Sequence, residues 1–224
     1  YLSIERRLDD NCGTHEIYFA QIENKDELNF KKLFSPKECD ERVESGKIKI
    51  WKENFKEYIL LTTNLSKNNR PIDENNPKPQ NDESIGGKIL MIDIESGDFG
   101  IYSKGHRNIS GLFIDLEQNL ILSTEHGPRG GDEINLITQG SNYGWDVASY
   151  GTKYKYKRSN KQPDYKLNHE DFGFVEPIYS YVPSVGISEI IKIGPQFSNK
   201  WENNFLIASL NSKHVYRVKF DKKF

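Results

Sequence analysis

Apolar positions along this chain come in short bursts, without the sustained 3.6-residue rhythm of amphipathic helices. Eleven runs stand out: 17–22, 46–51, 58–63, 88–94, 111–116, 119–125, 133–138, 177–182, 188–193, 204–210 and 214–220. Most are bounded by Gly, Asn, Asp, Pro or Lys. Short apolar or alternating runs between turn-forming residues predict β-strands. At this density they point to an all-β sandwich, barrel or propeller.

A recurring plan selects among these. "SGKIKIWKENFKEYILLTTN", "SGLFIDLEQNLILSTEHG" and "VGISEIIKIG…NNFLIASLN" each hold a Gly, an apolar strand, a polar turn and a second apolar strand. Each is followed by a further strand, "GKILMIDI", "DEINLIT" and "HVYRVKF". The anchoring Gly46, Gly111 and Gly186 lie 65 and 75 residues apart. A repeat of that length predicts an all-β β-propeller of four-stranded blades. About three blades are expected, in one domain over 1–224, with exposed loops at 66–86 and 152–172. Three blades leave edge strands unpaired, so self-association through blade edges is a further expectation.

Composition changes this picture little. Tyr and Phe number 12 each among 224 residues, which suits strands. A net charge of −2 gives no electrostatic reason to expect nucleic acid or an anionic membrane as partner. No run approaches the roughly 18 apolar residues of a membrane span. The first residue is Tyr, which reads as a processed form or a fragment. Cys12 and Cys39 fit neither a CxxC redox pair nor a zinc site. A disulfide and two buried thiols both remain open.

Candidate chemistry concentrates in residues 104–151. "GHRN" precedes the strand at 111–116, and "EHGPRGGDE" closes the return strand at 119–125. A hairpin brings its two open ends together, so both clusters are expected at one end of a blade. There Arg107 offers a planar fork for carboxylates. Asn108 adds a carboxamide, and a glycine-rich backbone at Gly127–Pro128 can turn carbonyls toward a hard cation. The plainer alternatives are a surface ion pair for Arg107, hydrogen-bonding loop roles for His106 and His126, and a polar strand start for Asp132 and Glu133.

"GHRN…G", "TEHGPRGGDEINLI" and "GSNYGW…SYG", in this order and spacing, resemble the glucose/sorbosone dehydrogenase family. The similarity runs over about 40–220. It implies a six-bladed propeller that oxidises aldose sugars with pyrroloquinoline quinone (PQQ) and calcium, in a periplasmic or secreted setting. By the family pattern Arg107 and Asn108 contact the quinone. Gly127 and Pro128 hold the calcium that polarises it, and Glu133 and Tyr143 belong to a second calcium site. In that chemistry a His takes the sugar's hydroxyl proton.

The chain departs from the pattern at the acid–base positions. Val43 matches the His, Leu65 the Asp that orients it, Ser110 a Gln, and Asn211 a cofactor-binding Lys. The catalytic residue is therefore left unassigned. Either His126 or His106 has taken over, or the propeller is catalytically silent and binds a glycan or protein. A third reading is a calcium-dependent, lactonase-like hydrolase, if Glu125, Asp132 and Glu133 converge on one ion.

Overall fold

The computed structural model describes residues 1–10, 12–22, 27–39, 43–64, 78–153 and 165–220. Fourteen strands among them form four antiparallel sheets. β1 (Leu2–Asp9), β2 (Cys12–Phe19) and β3 (Lys31–Phe34) make the first. β4 (Ser45–Glu53), β5 (Lys56–Thr63), β6 (Lys88–Asp93) and β7 (Phe99–Lys104) make the second. The third holds β8 (Ile109–Asp115), β9 (Leu120–Glu125), β10 (Asp132–Leu136) and β11 (Tyr179–Tyr181). The fourth holds β12 (Ile187–Lys192), β13 (Phe205–Ser209) and β14 (Val215–Val218). Within each sheet the strands pair in chain order, as in the blades of a β-propeller.

The three glycine-anchored repeats are the second, third and fourth sheets. The first sheet lies outside that repeat, and of its strands the apolar pattern shows only β2. The reason is physical. β1 is exposed along most of its length and carries Glu5, Arg6 and Arg7 in succession, so it has little apolar signal. β7 was also missed, because its outer position leaves Phe99 and Gly100 exposed.

Stacking of the sheets explains why the middle strands read as unbroken apolar runs. Neighbouring blades cover both faces of each sheet, so successive side chains are buried in opposite directions. In β5, Ile59 and Leu61 join Ile17 and Phe34 in the core between the first and second sheets. Leu60 points the other way, into a core with Ile89, Leu112 and Ile121. β9 repeats the device: Ile121 faces the second sheet, while Leu120 and Leu122 pack with Ile187, Ile190 and Ile207 of the fourth. Each such fully buried side chain stabilises the fold by about 1.5–3 kcal/mol.

The first strands of successive blades lie side by side, β1 by β4, β4 by β8 and β8 by β12. Gly111 makes the last approach possible: a Cβ there would lie 2.9 Å from both Ile190 N and Ser188 O. Ser110 Oγ donates to the Ile187 carbonyl at 2.9 Å, and Lys47 Nζ bridges to Glu189 at 2.7 Å. These contacts fix the relative placement of the blade ends that carry the candidate site.

Cys12 and Cys39 form a disulfide, with Cα atoms 5.1 Å apart. Of the two long loops, 65–77 and 154–164 lie outside the described residues. Among the described residues no helix is long and apolar enough to cross a membrane.

Candidate functional site

Register brings the two polar clusters together as the hairpin reading expects. Ile109 pairs with Glu125 at the open end of β8 and β9, so 105–108 and 126–131 meet there. Arg107 Nη1 donates to the His126 carbonyl at 2.8 Å, and its guanidinium lies 5.4 Å from the Trp145 ring centroid. The His126 N–H in turn donates to the Asn108 carbonyl at 2.9 Å. Asn108 Nδ2 reaches across to the second blade and donates to Glu44 Oε2 at 3.0 Å. Arg107, Gly127, Pro128, Glu133 and Tyr143 line one cavity, with Glu125, His126 and Trp145. Asn108 stands beside that cavity rather than in its wall.

The turn needs its glycines for steric reasons. A Cβ on Gly127 would fall almost on the carbonyl oxygens of Gly130 and Gly131, which fold back over it. The ring so formed is closed by Asp132, whose Oδ1 accepts the Gly127 N–H at 3.0 Å. Asp132 Oδ2 accepts the N–H groups of Val185, Gly186 and Ile187 at 3.0, 2.7 and 3.0 Å. Ser184 Oγ donates to Oδ1 at 2.8 Å. Asp132 thus ties the turn to the first strand of the next blade. Its carboxylate is taken up there, so Glu125, Asp132 and Glu133 do not converge on one point.

Glu125 and Glu133 do face one another, as directly paired residues of β9 and β10. Burial, and next the charge of Glu125, push the Glu133 carboxyl well above its ordinary range. Two buried carboxyls side by side call for a proton or a cation between them. Asn135 Nδ2 donates to Glu133 Oε2 at 3.3 Å, and His169 Nε2 lies 3.8 Å from Oε1. Among the described residues no three or more His, Cys, Asp and Glu side chains are grouped to hold a metal ion. A site here would need backbone oxygens as well.

The histidines separate into two kinds. His106 is fully buried, 2.8 Å from Ser103 Oγ and 3.2 Å from Glu125 Oε2, and it stacks on the Tyr143 ring. Tyr143 is equally fixed, donating to the Leu136 carbonyl at 2.6 Å and accepting the Thr138 N–H at 3.0 Å. Both are wall, so His106 offers no exposed nitrogen to a substrate. His126 is half-buried at the cavity, and burial lowers the pKa of its imidazole.

The profile of the family described as Glucose / Sorbosone dehydrogenase matches residues 29–224. The chain belongs to this family. It is 31% identical over 157 residues to the aldose sugar dehydrogenase YliI of Escherichia coli, covering 63% of this chain and 41% of that protein. It is 29% identical over 170 residues to quinoprotein glucose dehydrogenase B of Acinetobacter calcoaceticus, covering 55% of this chain and 35% of that one. The chain therefore spans less than half the length of these curated relatives. A glucose dehydrogenase crystal structure superposes with a TM-score of 0.80 at 23% identity, over 98% of this chain and 64% of the other. At that identity the likeness speaks for the propeller fold.

Against the glucose/sorbosone dehydrogenase pattern, the structure refines the departures. Val43 packs toward Gly13 of β2, close enough that a Cβ on the glycine would lie 2.9 Å from Cγ2. Leu65 lies outside the described residues, but Asn64 precedes it and faces the segment in question. Its Oδ1 accepts the Glu44 N–H at 2.9 Å. Asn211 lies over Gly186 at the start of the fourth blade, its N–H donating to the Val185 carbonyl at 3.0 Å. Sequence reasoning gave neither Asn64 nor Glu44 a role. The "TTN" strand end was the available signal for the first. For the second there was none, since Glu44 and Asn108 are 64 residues apart.

Proposed function

We propose that this chain supplies the cofactor face of a quinone-dependent aldose dehydrogenase. The observation that carries the reading is the linked set Arg107–His126–Asn108, which joins two matched quinone positions to the Gly127–Pro128 turn by two hydrogen bonds. A planar tricarboxylate such as PQQ suits a guanidinium held in one orientation by Trp145 and a backbone carbonyl. When bound, the quinone supplies two-electron oxidation of the sugar C1–OH. Arg107 and Asn108 would hold it, and the Gly127 and Pro128 carbonyls would hold the calcium beside it.

What supports a second calcium by Glu133 is the buried carboxyl pair that needs a counter-charge, with Tyr143 in the same cavity wall. Calcium there is structural in this reading, and Glu133 is its principal anionic ligand. A periplasmic or secreted location agrees with the Cys12–Cys39 disulfide.

A second reading rests on Val43 and Leu65. With neither imidazole nor acid at those positions, the propeller would keep its cofactor face as a silent binding surface for a glycan or protein. One experiment divides the readings: calorimetric titration of PQQ into the calcium-loaded chain, then dye reduction with aldoses. Binding with turnover supports the dehydrogenase. Binding without turnover selects the silent propeller, and no binding rejects the cofactor face. Arg107→Ala is expected to abolish quinone binding while leaving the fold intact.

A further inference from the structure

Residue 44 stands beside the position vacated by the family's imidazole, and it is itself an acid. Its backbone is held from both sides by buried side chains. The Glu44 N–H donates to Asn64 Oδ1 at 2.9 Å, and the Glu44 carbonyl accepts from His15 Nε2 at 3.0 Å. A carbonyl only accepts, so His15 carries its hydrogen on Nε2. Burial lowers the pKa of His15, which favours the neutral ring. His15 and Asn64 are both more than nine-tenths buried, so the clamp is part of the core and not a surface accident.

The Glu44 side chain is treated differently. It is exposed, and its Oε2 accepts Asn108 Nδ2 at 3.0 Å, which sets it against a matched quinone contact. Through Asn108 the carboxylate stands beside the residues that carry the matched quinone contacts. Asn108 uses one of the roughly four lone-pair sites of a carboxylate and leaves acceptor capacity for a second donor. Four of the five histidines are committed elsewhere, and His126, which lines the cavity, is the competing base. His106 is wall, His169 lies against Glu133, His214 sits in the β13–β14 turn, and His15 spends its Nε2 hydrogen on Glu44.

We propose that Glu44 is the general base of this chain, taking over from the imidazole absent at Val43. The proposal rests on the quinone-dependent reading above. Glu44 accepts the proton of the anomeric hydroxyl as the C1–H bond breaks. The C1 hydrogen leaves as hydride, with both electrons, to an ortho-quinone oxidant. The sugar becomes the lactone, and Glu44 releases the proton to solvent. The backbone clamp at N–H and C=O fixes the Cα of residue 44, and the Asn108 hydrogen bond orients its carboxylate, as a positioned base requires.

The test compares the unmodified chain with Glu44→Gln and Glu44→Ala, each calcium-loaded. It measures quinone affinity by calorimetry, dye reduction from pH 4 to 9, and the unfolding midpoint. Glu44→Gln keeps an acceptor for Asn108, so quinone affinity is expected within about twofold while kcat falls by about 10²–10⁴-fold. Glu44→Ala is expected to regain turnover when formate is added, which a structural role does not produce. Adding Val43→His to Glu44→Gln is expected to restore activity with a pH limb in the imidazole range, about 6–7. Undiminished turnover in Glu44→Gln, or a quinone-bound unmodified chain without turnover, overturns the base and leaves the cofactor face standing. Failure to bind quinone at all overturns the cofactor face and the base together.

Discussion

Asp132 accepts the backbone N–H of Gly186 at 2.7 Å, across the boundary between the third and fourth blades. The same carboxylate holds Val185, Ile187, Ser184 and, within its own turn, Gly127. A buried acid with five donors anchors two blades and the candidate site at once. Asp132→Asn keeps one acceptor oxygen but presents an NH₂ group to backbone N–H donors. A loss of about 2–4 kcal/mol in urea unfolding is expected, since each hydrogen bond to a charged group contributes about 1.5–3 kcal/mol. Hydrogen exchange should accelerate first at residues 185–187. Unchanged protection there would show that the blades are held by their apolar core alone.

Glu133 gives a prediction in which pH and calcium act against each other. Its folded-state pKa is raised, by burial first and Glu125 second. Without a cation, stability is full below the ordinary value of 4.5 and is lost as pH rises through the folded pKa. Calcium binding should flatten that decline. In chelator the melting temperature is expected to fall from pH 5 to 8, and in calcium to hold. Glu133→Gln should remove most of the difference between the two conditions. An equal effect of the substitution in both would count against a calcium role.

Glu16 behaves in the opposite sense. Burial raises its pKa, but hydrogen bonds from Tyr18, Ser35, Lys32 and Arg6 outweigh it and bring the pKa down to about 2. These partners come from all three strands of the first sheet and the residue after it. A depressed carboxyl pKa stabilises above 4.5 and is lost as pH falls through about 2. Acid unfolding should therefore begin in the first sheet, seen as early loss of amide protection along β1 and β2. Glu16→Gln should make that sheet's protection independent of pH over the same interval.

The Cys12–Cys39 bond closes a loop with a sequence separation of 27 residues. Chain-entropy reasoning gives such a closure about 3–4 kcal/mol. Reduction, or the double change to Ser, is expected to lower the urea midpoint and to loosen the cavity wall formed by Gly13, Thr14 and Val43. A midpoint unchanged by reductant would mean that the first sheet is held by Glu16 and its apolar core without the cross-link.

Much of the architecture was legible from the chain. Runs such as "YILL" and "LIL" are apolar at every position because blades bury both faces, and their glycine-anchored recurrence marked out three blades. Of the first sheet only β2 was legible, since β1 is exposed and charged and its contribution lies in Arg6 reaching Glu16. The clustering of 105–108 with 126–131 followed from hairpin register alone. What Glu44 and Asn64 do there did not.

By itself the sequence determined the all-β class, the repeat, the family and the turn that gathers Arg107, Gly127 and Pro128. Those features depend on residues close in the chain, where periodicity and turn chemistry act directly. Only the tertiary structure decided that Asp132 faces the next blade while Glu133 faces Glu125, although the two are adjacent. It also decided that Asn108, on the third blade, meets a carboxylate of the second. Successive strand residues point to opposite faces, and which neighbour each face meets is set by how the blades stack.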